Sequence, residues 1–332
     1  MHAEPKSKGP IVSVSDGTLT EADARVMLEK IRWPNGVHCI FSDCGGAEVY
    51  RIETAAKTLK SGRFVGPRHL FKCKACRRQF SVTKGTIFED SKIPLRTWIM
   101  VMYRMCSSKK GVSAHQIHRE FGIHYESAWF MCHRIRYAMQ DRDTSPLTGV
   151  VEADETWVGG KLRGHTSHRI KGQTMADSVR QGFAKKTPVF GMKERGGRIR
   201  AKAVPKVNAK LVEQTITENV DLDNTRLMTD EHPIYYWINR YLPHDVIRHK
   251  SEYVRGPIHT QGIESFWAIL KRGLVGTYHH VDAGYLNQYV NEFTFRHNSR
   301  KGTDAERFTS LLANVEGRVD WYLNASAEPS AS

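Results

Sequence analysis

Nowhere does this chain reach the run of about eighteen apolar residues that a membrane-crossing helix needs. Its opening stretch, MHAEPKSKGP, has no apolar core of the kind a secretory signal carries. Acidic residues are scarce beside basic ones: 35 Asp and Glu stand against 50 Lys and Arg, a formal net charge of +15. Cysteine is sparse, six in 332 residues, too few for the framework of a disulfide-stapled scaffold. No internal repeat is evident. These absences argue against membrane, secreted and repeat proteins, and the expected location is the cytoplasm, in association with the nucleoid.

The composition points to a folded protein of two or three domains, 40% hydrophobic and 10% aromatic. Its basic excess makes an anionic polymer the natural partner, because cations that contact phosphates release counterions.

Four of the six cysteines fall in two close pairs. Cys39 and Cys44 are separated by four residues, Cys73 and Cys76 by two, with 28 residues between the pairs. That is the layout of two knuckles facing across a structural Zn²⁺; the first pair is wide, which makes His38 a possible substitute ligand. Cys106 and Cys132 lie in helical patterns and read as core thiols. Between Lys57 and Arg78 there are eight Lys or Arg and no acid, with Phe64, His69 and Phe71 interleaved. This reads as a nucleic-acid contact more than as a solvated hairpin, with Arg77 and Arg78 among its cations.

Around the knuckles the chain divides as follows. Residues 1–17 are polar and read as a disordered tail. Residues 18–90 hold a short helix, with Ala22, Val26, Leu28 and Ile31 on its apolar side, and the zinc ribbon. Residues 91–140 carry three helical patterns with Gly122 and Ile123 between the second and third, the layout of a helix-turn-helix. Arg134 and Arg136 on the third helix are candidate DNA contacts. Residues 141–148 read as a linker, 149–323 as a catalytic domain and 324–332 as a second disordered tail. The long segment Gly159–Thr187 holds seven Lys or Arg, Lys161 among them, against one Asp; it reads as a DNA-facing loop.

Within 149–323 the expected order is three strands, helix, strand, helix, strand, helix. That is an α/β ribonuclease H-like mixed sheet, with a helix near 208–220 and another around 232–241. Two apolar strands end in acid, VVEADE with Asp154 and RLMTDE with Asp230, although strands disfavour Asp. In HTQGIESFWAILKRG, Ile263, Phe266, Trp267 and Leu270 form one flank while Glu264 and Lys271 share another face. Converging carboxylates repel unless a divalent cation lies between them, and such oxygen-rich sites suit Mg²⁺ or Mn²⁺.

Several blocks together, FKCKACRRQFSVTKGTIFEDSKIPLRTW, SSKKGVSAHQIHREFGI, VEADETWVGGK, TDEHPIY, EYVRGPIHTQGIESFWAILKRGLVGTYHHV and NEFTFRHNSR, resemble the bacterial insertion-sequence transposases that join a zinc ribbon to an ISXO-like DDE domain. The resemblance spans about residues 30–300. It implies an enzyme that binds the terminal inverted repeats of its own element, cleaves there and joins the freed 3′ ends to target DNA with divalent metal, acting as a homo-oligomer. Carried over, the catalytic and Mg²⁺-binding carboxylates are Asp154, Asp230 and Glu264, with Lys271 as a basic partner. Relatives commonly have Asn where this chain has Gln261, which sits three residues from Glu264 on one helical face and competes with it to complete the site. Lys271 and Arg272 would hold phosphates, with Arg296, Arg300 and Lys301 extending that surface and Tyr278, His279 and His280 beside it. Two rivals stand beside this reading: a non-catalytic DNA-binding regulator derived from such an enzyme, and a ribonuclease H-like nuclease that cuts without joining.

Overall fold

A computed structural model describes residues 10–159, 186–247 and 258–317. Lys161 and most of the basic loop around it, the first nine residues and the tail beyond 317 lie outside the described residues. The chain forms two compact units. The first combines the segments up to Ser108, Ala114–Ala138 and from Gly302 onward; the second takes Lys109–Ser113 and Met139–Lys301.

The first unit begins with α1 (Pro10–Ser15) and α2 (Glu21–Arg32). The expected tail is therefore helical over part of its length, and Val14 is buried. Thr20 caps α2 through a capping box with Asp23, whose backbone N–H donates to the Thr20 hydroxyl at 3.1 Å. The buried face of α2 is Ala24 and Leu28; Val26 is 49% exposed, so the apolar side sits partly around the helix from where periodicity puts it. Next come β1 (Val49–Thr54), β2 (Lys57–Thr58), β3 (Phe64–Val65), β4 (Arg68–Cys73) and β5 (Gln79–Phe80), with antiparallel β1-β4-β5 as one sheet and β2-β3 as a separate hairpin. Trp33 meets Phe71 and Phe80 edge-on at 5.4 and 6.1 Å, a small aromatic core under the ribbon.

Three helices follow: α3 (Leu95–Ser107), α4 (Ala114–Phe121) and α5 (Tyr125–Ala138). Pro94 at the start of α3 offers no capping side chain. The Glu21 carboxylate supplies the cap instead, accepting from the backbone N–H groups of Leu95 and Arg96 at 3.0 Å each. Helices α4 and α5 pack together across Gly122, whose φ of +62° is the left-handed turn that glycine tolerates.

The second unit is built on a five-stranded sheet. Its strands are β6 (Leu147–Val158), β7 (Thr187–Glu194), β8 (Ile199–Ala203), β9 (Val220–Asp230) and β10 (His244–Ile247), in the order β10-β9-β6-β7-β8. Strands β6, β7 and β8 pair antiparallel, while β6-β9 and β9-β10 pair parallel. Helix α6 (Ala209–Asn219) links β8 to β9, as expected. One face of the sheet buries Val151, Ala153, Phe190 and Met192 with Val212, Ile216, Tyr235 and Ile238. The other packs Val189 and Ile199 against α7 (Gln261–Gly273) and α8 (Leu286–Asn298), through Ile263, Phe266, Trp267, Leu270 and Phe293. The helix expected near 232–241 is replaced by two 3₁₀ turns, Pro233–Tyr235 and Ile238–Arg240. The Asp230 carboxylate accepts from His232 N–H, and Pro233 then opens a single tight turn, which turns the chain sharply at the end of β9.

Residues 141–148 are not a free linker. The Arg198 guanidinium donates to the Asp143 carboxylate and to the Ser145 carbonyl, and Arg200 donates to the Asp143 and Ser145 carbonyls. Serine and arginine together hold the Asp143 carboxyl down to about 2.

The larger departure is at the far end. Helix α9 (Asp304–Ala313), expected within the catalytic domain, belongs to the first unit. Phe308 meets Tyr103 edge-on at 5.7 Å, and the Arg307 guanidinium donates to the Cys106 carbonyl. Beyond the helix, Ile87 N–H donates to the Val315 carbonyl at 2.9 Å, Gly317 N–H to Gly85 at 3.0 Å, and Thr86 bridges Glu316. Phe308, Leu311, Leu312 and Val315 are all essentially buried, at roughly 1.5–3 kcal/mol each. Ending the chain at Lys301 therefore removes more stability than a domain can spare. The expected result is loss of the cooperative melting transition of the first unit and of its protease resistance, measured on the truncated protein. A truncated chain whose first unit melts as in the full chain would show that α9 is dispensable.

Candidate carboxylate site and zinc knuckles

The parallel register of β6 and β9 sets Val151 beside Leu227 and Glu152 beside Met228. Pairing with β9 ends there, while β6 runs on to Val158, so Asp154 lies inside its strand rather than at the end that the sequence suggested. Asp230 is the last residue of β9, at the carboxyl end where α/β folds form their clefts, and its charge acts on Asp154. Alternation along β6 sends Val151 and Ala153 into one core and Glu152 and Asp154 toward α7. Asp154 is half-buried. Its Oδ2 accepts the Trp267 indole N–H at 3.0 Å, and its Oδ1 accepts Glu155 N–H at 2.8 Å. Gly191, opposite Asp154 on β7, makes room for that indole: a Cβ there would lie 2.6 Å from the ring. Burial, then the charges of Glu155 and Asp230, push the Asp154 carboxyl up to about 7.

The neighbouring acids share the crowding. Glu155, turned to the other face, is raised chiefly by burial and accepts the Tyr235 hydroxyl at 2.6 Å. Glu231 has a buried Oε2 with no hydrogen bond among the described residues. Oxygen donors whose charges repel, as those of Asp154, Glu155 and Asp230 do, suit a hard divalent cation.

Glu264 does not complete this group here. Its Oε1 accepts the Thr260 hydroxyl at 2.8 Å, closing the first turn of α7. Among the described residues the cysteine quartet is the one set of three or more metal-binding side chains drawn within reach of a single ion. Gln261 opens α7 and is exposed; Lys271 and Arg272 are exposed in its last turn.

Sequence reasoning missed what fixes α7. Glu152, 1% exposed, accepts the backbone N–H of Ile263 at 2.9 Å, so a β6 carboxylate caps the helix that carries Gln261 and Glu264. Arg195 pairs with Glu152 at 3.2 Å and donates to the His259 carbonyl at 3.0 Å; His259 Nδ1 lies 3.6 Å from the same carboxylate. The signal was present in the sequence: a second acid, two residues before Asp154, sits on the same face of an apolar strand.

Cys39, Cys44, Cys73 and Cys76 come together as read. The Sγ atoms of Cys39 and Cys76, and of Cys44 and Cys73, lie 3.7 Å apart. A tetrahedral zinc with bonds of about 2.3 Å spaces its sulfurs by about 3.8 Å, whereas a disulfide needs about 2.05 Å, so the quartet fits Zn²⁺. His38 stands outside it, edge-on to Trp33. Burial pushes Cys39 up to about 12, while hydrogen bonds from Arg78 bring Cys76 down to about 6.

Several candidate DNA contacts are engaged otherwise. Arg78 donates to Asp43 at 2.5 Å and lies 3.9 Å over the Phe41 ring, bracing the knuckle; Arg77 beside it is exposed. Arg136 is 2% exposed and does not face a groove, because α5 is enclosed on the side that carries it together with Cys132 and Ile135. Arg134 donates to the carbonyls of Ile87 and Glu89 at 3.1 and 2.9 Å, tying α5 to the loop before α3. Arg296 is ion-paired to the buried Glu292, which also accepts the Tyr278 hydroxyl at 2.8 Å; Arg300 and Lys301 donate to the Gly196–Gly197 turn.

A carboxylate-bearing mixed sheet with a cysteine-ligated ribbon is the framework of a nucleic-acid-processing enzyme. Residues 146–298 match the ISXO2-like transposase domain, and residues 19–79 match the transposase zinc-ribbon domain. The chain belongs to the insertion-sequence transposases that join these two domains, with DNA as the partner both imply. It is similar to an uncharacterized protein in transposable element ISH50 of Halobacterium salinarum, 25% identical over 299 residues that span 89% of this chain and 96% of the relative. No described helix is long and apolar enough to cross a membrane.

Two outcomes follow from this geometry. Metal analysis of the purified protein is expected to give one zinc per chain, and its removal to unfold the ribbon, since binding energy is folding energy here; a zinc-free chain with an intact melting transition would contradict that. At the carboxylates, the folded chain keeps the Asp154 proton up to about 7 while the unfolded chain releases it near 3.8. Stability contributed by the protonated form is thus present below the lower value and lost as pH rises through the upper one. Asp154→Asn is expected to stabilise the magnesium-free protein by roughly 2–4 kcal/mol above about pH 7 and to make little difference near pH 4, read from thermal unfolding at the two pH values.

Proposed function

We propose that the chain is an active, metal-dependent DNA transposase that cleaves at the ends of its element and joins the freed 3′ ends to target DNA within a homo-oligomeric assembly, on a ribonuclease H-like fold. The observation that carries this reading is the placement of Asp154 and Asp230 on the neighbouring strands β6 and β9, where the charge of Asp230 helps to raise the Asp154 carboxyl, which supports the two as a carboxylate pair for a cation. Asp154 and Asp230 would hold Mg²⁺ or Mn²⁺. Such an ion supplies charge neutralisation at phosphate and activation of a hydroxyl nucleophile. Trp267 holds Asp154 Oδ2 in one orientation, and the core packing of α7 limits the motion of that oxygen.

Glu264 would join on binding by exchanging its Thr260 contact for the cation, a small side-chain motion in the first turn of α7. Gln261, one turn earlier, reaches the site only through its amide, a weaker donor to Mg²⁺ than a carboxylate. The exposed Lys271 and Arg272 supply cations for phosphates along the same helix. Intact acids at all three positions favour catalysis over a regulator that only binds.

Asp154→Asn and Asp230→Asn are expected to abolish cleavage and joining while element-end binding survives, because each removes a charged ligand and leaves the DNA-contacting cations in place. Glu264→Gln is expected to be nearly as severe and Gln261→Ala milder. Strand-transfer assays on oligonucleotides bearing the element ends check this. Joining by Asp154→Asn at the parental rate would sink the mechanism, and cleavage without any joined product would favour the nuclease.

A further inference from the structure

The basic stretch between β1 and the second knuckle splits into two parts of different character. Around the zinc its charges and rings are used internally: Lys74 pairs with Glu48, Arg78 with Asp43, His69 approaches Glu53, and Phe71 is buried. The β2-β3 hairpin is the opposite. Every described side chain from Ala55 to Phe64 is exposed. Lys57, Lys60, Arg63 and Arg68 make no ion pair among the described residues, and no acid occurs between Lys57 and Arg78. Phe64 is 67% exposed and Leu59 38%.

The hairpin is nonetheless a defined structure. Leu59 N–H donates to the Arg63 carbonyl and Gly62 N–H to the Leu59 carbonyl, each at 2.9 Å, with Gly62 at a φ of +77°. Thr58 stands directly across from Phe64, so these two share one face of the ribbon, while Lys60 and Arg63 sit at its tip. A folded protein gains by covering an aromatic ring this exposed, and four unpaired cations around it exclude an ordinary apolar protein partner while favouring a polyanion.

We propose that this hairpin is a DNA-reading finger that enters the major groove of duplex DNA, with Lys60 and Arg63 on phosphates and Phe64 against base edges. The inference rests on the reading of this chain as a DNA-binding transposase and adds the surface that makes the contact. Two strands about 5 Å apart, with their side chains, match a groove about 12 Å wide, which admits a two-stranded ribbon, and a phenylalanine there packs on the thymine C5-methyl.

The test uses the full-length, zinc-loaded chain and a fluorescently labelled duplex of mixed sequence in magnesium-free buffer, with affinity followed by anisotropy across a potassium chloride series. In Lys60→Ala/Arg63→Ala the slope of log affinity against log salt is expected to fall by about 1.8, two cations at about 0.9 each. Phe64→Ala is expected to weaken binding by at least about fivefold with the slope unchanged, and that difference is expected to vanish on a duplex carrying uracil in place of thymine. Zinc content and melting temperature stay at parental values, because these side chains face solvent. An unchanged slope in the double variant, or a Phe64→Ala protein that binds like its parent, overturns the finger. A Phe64→Ala loss equal on thymine and uracil duplexes overturns its placement in the major groove. If the parent protein binds no duplex at all, the DNA-binding reading falls with it; parental binding with unaltered variants removes only the hairpin.

Discussion

Two carboxylates held within reach of each other's charge, Asp154 inside β6 and Asp230 at the end of β9, are the constraint around which the second unit is arranged. Asp154 and Asp230 lie two residues beyond the last pair of β6 and β9, Glu152 and Met228, and slipping by one residue would turn the apolar half of β6 out of its core. The surroundings accommodate this. Trp267 and the Glu155 amide each give Asp154 a hydrogen bond, and Tyr235 gives one to Glu155. Each contact favours the charged carboxylate, and burial opposes it. The result is an acid poised near neutrality in the absence of a cation, a condition that a fold optimised only for stability would avoid.

The same strand also controls the third element of the site. Glu152 reaches the opening turn of α7 from the face that bears Asp154. A displacement of β6 therefore carries both the aspartate and the helix start with it. Arg195, His259 and Lys193 complete a buried charge group around Glu152 whose members depend on one another, so that removing Arg195 would take away the one guanidinium paired with a carboxylate that is 1% exposed. The zinc ribbon solves a different problem by different means. Its sheet is too small to bury much, so the quartet of sulfurs and the ring cluster of Trp33, Phe71 and Phe80 supply the cohesion that area does not.

Much of this could be read from residue order because the signals were of the kind that survive folding: an aspartate where strands disfavour it, cysteines at knuckle spacing, a helix with one apolar flank. The failures share a cause. The helix-turn-helix layout makes Arg134 and Arg136 candidate contacts, yet the exposed side of α5 is that of Tyr125, Glu126 and Phe130, and periodicity cannot say which flank of a helix its neighbours cover. The segment 232–241 has helical composition, but Pro233 after a strand-end aspartate and Pro243 beyond leave space for only two tight turns. The linker and the last helix were misplaced because partners far along the chain decide both: Arg198 and Arg200 for the one, Tyr103 and Ile87 for the other. Long-range pairing leaves no local trace in a sequence.

Since residues on both sides of the second unit complete the first, the chain crosses between the two units four times, at 108–109, 113–114, 138–139 and 301–302, and the first unit closes only after the last crossing. On the ribosome, the zinc ribbon and the three helices after it emerge long before Phe308 and Val315, and wait for them through the synthesis of the entire sheet. A product cut short by an early stop codon or an abortive round of translation thus lacks the piece that closes its own beginning. Such a fragment leaves open to solvent the apolar surface that Phe308, Leu311, Leu312 and Val315 cover in the whole chain.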